Sequence, residues 1–274
     1  MSKELKIKLD KRSKHLRSYI TRALLSANRG HFGSSMSLVE ILRVLYDHII
    51  FFDNKNPKNE KRDRVILSKG HGCLALYSIL ADKKFFNIKE FDNFLKLDSM
   101  LGGHPENNKV PGVEASTGAL GHGLPIAVGM ALSLKLKKSN SKVYVILGDG
   151  ELNEGSNWEA LMSAKKHKLC NLKIIIDYNK IQSYDFVKNV VNLEPLNKKF
   201  RSFGFDVSEV NGHSVPELKK NFSKFKKQKS NKCSITICHT IKGKGFGVAE
   251  NNPSWHHRNS FNDDEKKIIY RSLL

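Results

Sequence analysis

The sequence predicts an α/β protein, a three-layer α/β/α sandwich built on a mostly parallel sheet, and three observations carry that prediction. First, Val143-Tyr144-Val145-Ile146-Leu147 is a short apolar run that ends in the turn Gly148-Asp149-Gly150. Second, a helical segment over 158–167 leads to another apolar run over 172–176, closed by Asp177-Tyr178-Asn179. Runs this short and this rich in Val and Ile read as parallel strands buried on both faces. Third, the same order of apolar run, glycine turn and helix appears at Arg64-Val65-Ile66-Leu67-Ser68, Lys69-Gly70-His71-Gly72 and 74–80. Right-handed crossovers bring the carboxyl ends of such strands to one edge, where sheets of this class bind ligands.

Asp149 and Asn179 stand thirty positions apart at two of these strand ends. One carboxylate and one neutral amide oxygen suit a hard divalent cation, and magnesium completes its octahedron with phosphate oxygens and water. The flanking glycines let backbone come close to an anion. A bare Gly-Asp-Gly turn also serves ordinary nucleotide-binding sheets, so it does not discriminate alone.

The remaining elements follow in chain order. Leu16, Ile20, Ala23, Leu24 and Ala27 recur at helical spacing, and the first helix runs to about Asn28. Arg29 to Ser35 is a glycine-rich turn carrying His31. Ser37-Leu38-Val39-Glu40 has the form of a capping box, and Leu38, Ile41, Leu42, Leu45 and Ile49 form the apolar face of a second helix. The segment 85–100 reads as a peripheral helix. Gly102-Gly103-His104-Pro105 and Ser116-Thr117-Gly118-Ala119-Leu120-Gly121-His122-Gly123 are loops, the second opening a helix over 125–137. The stretch 181–197 lacks periodicity, and its length marks a functional segment near the site. Strands over 205–210 and 234–238 flank a helix over 216–225. No repeat or linker divides the chain, which reads as one domain over 1–274.

Composition narrows the function classes. Lys and Arg number 47 against 27 Asp and Glu, for a net charge of +20. Nucleic acid, a membrane surface, phosphorylated substrates or an acidic partner would each fit such a charge. The basic residues are spread along the chain, with modest concentrations at 135–138 and 219–232, and no aromatic residues interleave as in a single-strand groove. Lysine-rich solvated faces together with a phosphorylated substrate account for the charge best, with no nucleic acid and no membrane. Residues 1–17 are charged throughout and lack the apolar run of a signal peptide, and no stretch has the length of a membrane span. Cys73, Cys170, Cys233 and Cys238 show no metal spacing and read as thiols of a reduced, cytoplasmic protein.

His31, His71, His104, His122 and His256 all lie beside glycine turns or at element ends. One shared pocket explains five such placements better than five coincidences. No two of these histidines have the helical spacing of a zinc site. Proton transfer and binding of phosphate or hydroxyl groups are the roles that remain.

Taken together the motifs resemble the N-terminal, diphosphate-binding half of transketolase. The resemblance is carried by Gly30-His31, Ser68-Lys69-Gly70-His71, Gly103-His104-Pro105-Glu106, Ser116-Thr117-Gly118-Ala119-Leu120-Gly121, Gly148-Asp149-Gly150-Glu151-Leu152-Asn153-Glu154-Gly155, Asp177-Tyr178-Asn179, Lys242-Gly243-Lys244-Gly245 and Trp255-His256. These stand in the family's order over nearly the whole chain. The resemblance implies the thiamine diphosphate-binding fold, with thiamine diphosphate and Mg2+ as cofactors. Asp149, Asn179 and the Ile181 carbonyl would bind the metal. Gly148, Gly150, Glu151 and His71 would cradle the diphosphate, and Gly118 and Leu120 the aminopyrimidine. His256 would lie between diphosphate and substrate, while His31 and His104 would face sugar hydroxyls. Glu154 and Glu159 resemble the family's buried carboxylates between paired active sites, although a helix N-terminus also favours glutamate there. Phe32 stands where the family often has proline and His122 where glutamine is common, with acceptor choice as the property at stake.

The implied activity moves a two-carbon ketol unit from a ketose or ketose phosphate to an aldose. The chain stops near where a full-length transketolase continues into its pyrimidine-binding and C-terminal domains. That resemblance therefore implies a split enzyme whose second subunit supplies the glutamate that protonates the aminopyrimidine, in an α2β2 heterotetramer. The rivals are an α-type subunit of a 2-oxo acid dehydrogenase, a deoxyxylulose-phosphate-synthase-like enzyme, and a basic scaffold or nucleic-acid-binding protein with a dead fold. The Ser-Lys-Gly-His and Gly-His-Pro-Glu loops oppose the first of these, and intact Asp149 and Asn179 oppose the last.

Overall fold

A computed structural model describes residues 7–183, 185–227 and 233–272. Its sheet has five parallel strands, β1 (Arg64–Leu67), β2 (Val143–Gly148), β3 (Leu172–Tyr178), β4 (Asp206–Asn211) and β5 (Ser234–His239). Their spatial order is β1-β2-β3-β5-β4. Along the chain the main helices are α1 (Lys11–Ala27), α2 (Phe32–Met36), α3 (Val39–Val44), α4 (Cys73–Asp82), α5 (Gly123–Leu136), α6 (Gly155–Lys166), α7 (Leu196–Ser202), α8 (Val215–Lys227) and α9 (Asp263–Arg271).

The two-residue alternation of β2 shows why three layers form. Tyr144 and Ile146 join one core with residues of α1 to α4, α8 and α9. Val143, Val145 and Leu147 join the opposite core with residues of α5, α6 and α7. Every residue of β2 and β3 is buried, and each fully buried Val, Leu or Ile contributes roughly 1.5–3 kcal/mol. In register, Gly148 pairs with Asp177 and Asp177 with Cys238, so three strand ends stop side by side.

α1 forms as its apolar spacing predicts. Asp10 caps it by accepting from Ser13 N at 2.8 Å, and Asn28 ends it in the left-handed region at φ 54°. Its buried Arg17 ties distant segments together. The guanidinium donates to Glu40 at 2.5 and 3.0 Å, to Met36 O at 2.9 Å and to Lys244 O at 2.9 Å. Glu40 also meets His213 Nδ1 at 2.8 Å, and His213 Nε2 accepts from Ile241 N at 2.8 Å. The last bond places the His213 proton on Nδ1, facing Glu40. A buried ion pair thus anchors the 241–244 turn that follows β5.

Several sequence expectations need correction. Ser37 does not open a capping box, because its hydroxyl is taken by Asp177 Oδ2 at 2.7 Å, and Glu40 is taken by Arg17. The helix there runs over Val39–Val44 and widens into a π turn over Leu45–Ile49. The segment 85–100 holds only a 3-10 turn over Ile88–Asn93, and its Phe91 and Phe94 are core residues rather than peripheral ones. The aperiodic 181–197 stretch contains a small hairpin, Ile181–Gln182 against Asp185–Phe186. α9 carries a capping box at Asn262 and Glu265 that sequence reasoning passed over. The basic concentration at 219–232 lies partly outside the described residues. No described helix is long and apolar enough to cross a membrane.

Candidate active site

The strand ends frame a cleft of about 180 Å³. β2 contributes Gly148, and the turn after it Asp149 and Gly150. Asp149 Oδ1 accepts from Gly150 N at 2.8 Å, and its Oδ2 accepts from Lys180 N. The turn after β3 contributes Asn179, whose Oδ1 accepts from Ile181 N at 3.1 Å. Asp149 and Asn179 therefore meet around one turn, as their sequence spacing predicts, with Ile181 beside them as the resemblance implies. A Cβ on Gly150 would stand 2.5 Å from the Gln182 Cβ, so only glycine lets the two turns close.

Behind this turn lies a charge arrangement that sequence reasoning did not single out. Asp177 is fully buried and meets Lys69 Nζ at 2.6 Å, Ser37 Oγ at 2.7 Å and the Thr240 hydroxyl. Burial raises its pKa, but the Lys69 ammonium and these hydrogen bonds outweigh that and hold it below the usual range. Asp149 lacks such an ammonium contact. Burial and then the charge on Asp177 push it up to about 6. Lys242 Nζ donates to the Ile181 carbonyl at 2.9 Å, and burial together with Lys69 lowers its pKa to about 7. The residues fit a divalent cation on two grounds: an ammonium already rests against the carbonyl oxygen expected to coordinate, and a buried carboxylate beside it is short of positive charge. Among the described residues no group of three His, Cys, Asp or Glu side chains could hold a metal.

The histidines converge. His31 caps α2, His71 lies in the turn after β1, His104 in the 102–105 loop and His256 beyond the 3-10 turn Pro253–Trp255. The His31 ring centroid lies 5.4 Å from His71, 5.8 Å from His104 and 5.5 Å from His256, and His71 lies 5.2 Å from His256. Burial, then neighbouring positive groups, lower His31 to about 3, His71 well below the imidazole range and His256 to about 2. Burial alone lowers His104. Neutral imidazoles each offer one donor and one acceptor. His256 Nδ1 lies 2.7 Å from Lys242 Nζ, and when Lys242 is an ammonium it donates to that nitrogen and leaves the ring proton on Nε2. An adjoining cavity of about 380 Å³ shares His31, His71 and His104 with the cleft and adds His257, whose ring lies 4.6 Å from His31. His257 escaped sequence reasoning, although it directly follows His256.

Gly118 and Leu120 line the cleft. Gly118 adopts φ +147°, and a Cβ there would stand 2.7 Å from the His104 ring, so the loop and the histidine are packed on each other. Glu151 also lines the cleft, but its carboxylate braces the walls. It accepts from Ser68 Oγ, from Gly121 N at 3.1 Å and from Gly148 N at 3.2 Å. Glu154 and Glu159 are exposed on this chain and do not join the histidines. Phe32 is fully buried against Phe246 and Trp255, with ring centroids 4.9 and 5.1 Å away, which makes it a core residue. His122, expected to share one pocket with the other four histidines, does not join them: it is exposed and lines a neighbouring depression with His104.

Comparison with known proteins agrees with this geometry. The family model described as transketolase, thiamine diphosphate binding domain, matches residues 10–273. An apulose-4-phosphate transketolase subunit of Actinobacillus succinogenes is 42% identical over 253 residues, covering 91% of this chain and 90% of that protein. A 6-deoxy-6-sulfo-D-fructose transketolase subunit from a Clostridium species is 39% identical, covering 83% of this chain and 82% of its own length. A transketolase variant from Pichia stipitis superposes with TM-score 0.89 at 29% identity, covering 97% of this chain. This chain spans 41% of that longer polypeptide. A diphosphate-type turn, a histidine-lined cavity and likeness along nearly the full sequence converge, and the chain belongs to the transketolase family as a thiamine diphosphate-binding N-terminal member.

Proposed function

We propose that this chain is one subunit of a transketolase that moves a two-carbon ketol unit from a ketose phosphate donor to an aldose acceptor, with thiamine diphosphate held through magnesium. The observation that carries the reading is the convergence of His31, His71, His104 and His256 beside the Asp149–Asn179–Ile181 turn. The likeness to transketolase subunits favours this over 2-oxo acid dehydrogenase and deoxyxylulose-phosphate-synthase chemistry.

Bound thiamine diphosphate supplies a carbanion sink for the cleaved carbon–carbon bond. The chain's own residues do the rest. Asp149, the Asn179 amide oxygen and the Ile181 carbonyl would hold magnesium, with Asp149 binding it in its ionised form. The Gly150 backbone and His71 bind diphosphate oxygens, with Lys69 and Lys242 adding positive charge nearby. His256 presents Nε2–H toward the substrate, held in that tautomer by Lys242. His31 and His104, neutral at neutral pH, donate to or accept from sugar hydroxyls. Proton transfer by such positioned groups contributes ~10²–10⁴-fold.

A second polypeptide completes the site. The transketolases of Actinobacillus succinogenes and the Clostridium species are named as subunits, and this chain spans most of each, which supports that reading. Exposed Glu154 and Glu159 are then placed to become buried against the second chain, in an α2β2 assembly. Four free thiols suit a cytoplasmic setting. The test is ketose-to-aldose transfer by the purified chain with magnesium and thiamine diphosphate, before and after adding a C-terminal transketolase half as a second polypeptide. Turnover is expected only after the addition. Robust turnover by the chain alone contradicts the split-enzyme reading.

A further inference from the structure

The sheet has two edges of strand ends, and the cleft occupies only one of them. At the opposite edge β3 and β5 start side by side, with Lys173 level with Ser234. A cysteine stands before each strand: Cys170 in the turn that leads from α6 into β3, and Cys233 directly before β5. Their sulfurs lie 4.0 Å apart, although the residues are 63 positions apart in the chain. Parallel pairing of the two strands is what brings them together.

The two thiols differ in access. Cys170 is half-buried and Cys233 is buried. Beyond Cys170, Cys233 Sγ has a weak contact with the Ala164 carbonyl at 3.9 Å. Burial and then the neighbouring Cys170 push the Cys233 thiol up to about 11, while the charges of Lys165 and Lys173 act in the opposite direction. An accessible thiol that meets an oxidant, backed by a sheltered thiol that resolves the adduct, is the arrangement a redox-active pair needs. The other two cysteines are placed differently. Cys73 Sγ lies 3.2 Å from the Gly103 carbonyl, and Cys238 is level with Asp177 at the catalytic edge. Both are buried, and burial raises both thiols.

We propose that Cys170 and Cys233 form a reversible dithiol–disulfide site whose oxidant is a low-molecular-weight disulfide such as oxidised glutathione. The Cys170 thiolate attacks one sulfur of the oxidant, so that a mixed disulfide forms and one glutathione leaves as its thiolate. The Cys233 thiolate then attacks Cys170 Sγ, the bond to glutathione breaks, and the second glutathione leaves. Two electrons pass from the pair to the oxidant, and the two thiol protons end on two molecules of reduced glutathione. The sulfurs close from 4.0 Å to a bond of about 2.05 Å. Cys170 precedes the strand ladder, so its turn takes up that movement. The bond closes a loop that contains β3, the 179–181 turn, β4 and α8, and it stabilises the fold by restricting the unfolded chain. It lies at the far ends of the strands from the cleft, so cofactor binding is untouched by it.

The test treats the full, reduced chain with excess oxidised glutathione, alkylates the remaining thiols, and counts and maps them by mass spectrometry. The four free thiols are expected to fall to two, with Cys170 and Cys233 joined in one peptide pair. Excess reduced glutathione is expected to restore all four. The same bond is expected in a chain carrying Cys73→Ser and Cys238→Ser. The oxidised chain is expected to melt at least about 4 °C above the reduced one, a rise that Cys170→Ser abolishes. Thiamine diphosphate affinity with magnesium is expected to stay within about twofold on oxidation. Four thiols that survive the oxidant overturn the site. So does a glutathione adduct that stays on Cys170 without resolution, a bond from either residue to Cys73 or Cys238, or a bond that reduced glutathione does not open. An oxidised chain that melts no higher than the reduced one also overturns it, because the bond then does not fit the native fold.

Discussion

Lys69 Nζ lies 2.6 Å from Asp177 Oδ2, and both residues are buried at the centre of the sheet edge. This pair holds together the turn after β1, the end of β3 and, through Ser37 and Thr240, two further segments. Asp149 and Asn179 are aimed by that scaffold.

Removing one partner leaves the other charge buried and uncompensated. Asp177→Asn is expected to lower the unfolding free energy by roughly 3–5 kcal/mol. Lys69→Met with Asp177→Asn together should cost less than the sum of the two single changes. Denaturant titrations of the three variants check this, and a loss under about 1 kcal/mol for Asp177→Asn contradicts it.

Gly118→Ala is expected to reduce kcat of the assembled enzyme by about 10²-fold while the chain still folds. The backbone at φ +147° disfavours a side chain, and the added methyl displaces the His104 ring. A variant with unchanged kcat and an unchanged melting temperature would show that the two are not coupled.

His104→Ala and His31→Ala are expected to lower turnover by ~10²–10⁴-fold and to leave thiamine diphosphate affinity within a few-fold. Both line the outer cavity as well as the cleft, whereas the oxygens proposed to hold the metal lie at 149 and 179–181. Loss of cofactor binding in a folded variant assigns the residue to the cofactor instead.

Acidification should destabilise the chain through its buried histidines, opposed in part by Asp149, whose raised carboxyl pKa of about 6 favours the folded state as pH falls. His31, at about 3, has a folded pKa below the ordinary imidazole value of 6.5. The unfolded chain therefore takes up the proton first. Its contribution is intact above about 6.5 and is lost as pH falls from there toward about 3. His71 and His256 shift the same way. Melting temperatures between pH 7 and 4.5 should fall steadily, with a shallower slope in His31→Gln. A flat profile contradicts neutral buried histidines.

The strands and the meeting of Asp149 with Asn179 were legible because continuous apolar runs can only be buried, and their ends then have one place to lie. The four converging histidines were legible from their glycine neighbours. What stayed hidden depends on long-range partners. Ser37 and Glu40 spell a helix cap locally, yet Asp177 and Arg17 claim their side chains from 140 and 23 residues away. Lys69 and Lys242 stand in motifs that carry the resemblance, yet their burial against the sheet edge is not written in the local sequence. Phe32 sits in a functional turn but packs on Phe246 and Trp255.

The metal-diphosphate assignment is tested most directly by calorimetric binding of thiamine diphosphate to the purified chain, with and without magnesium, compared with Asp149→Ala. Magnesium is expected to tighten binding by roughly tenfold or more, and Asp149→Ala to abolish this effect while the fold is retained. Binding indifferent to magnesium, or an Asp149→Ala chain that keeps the full magnesium effect, would contradict the assignment.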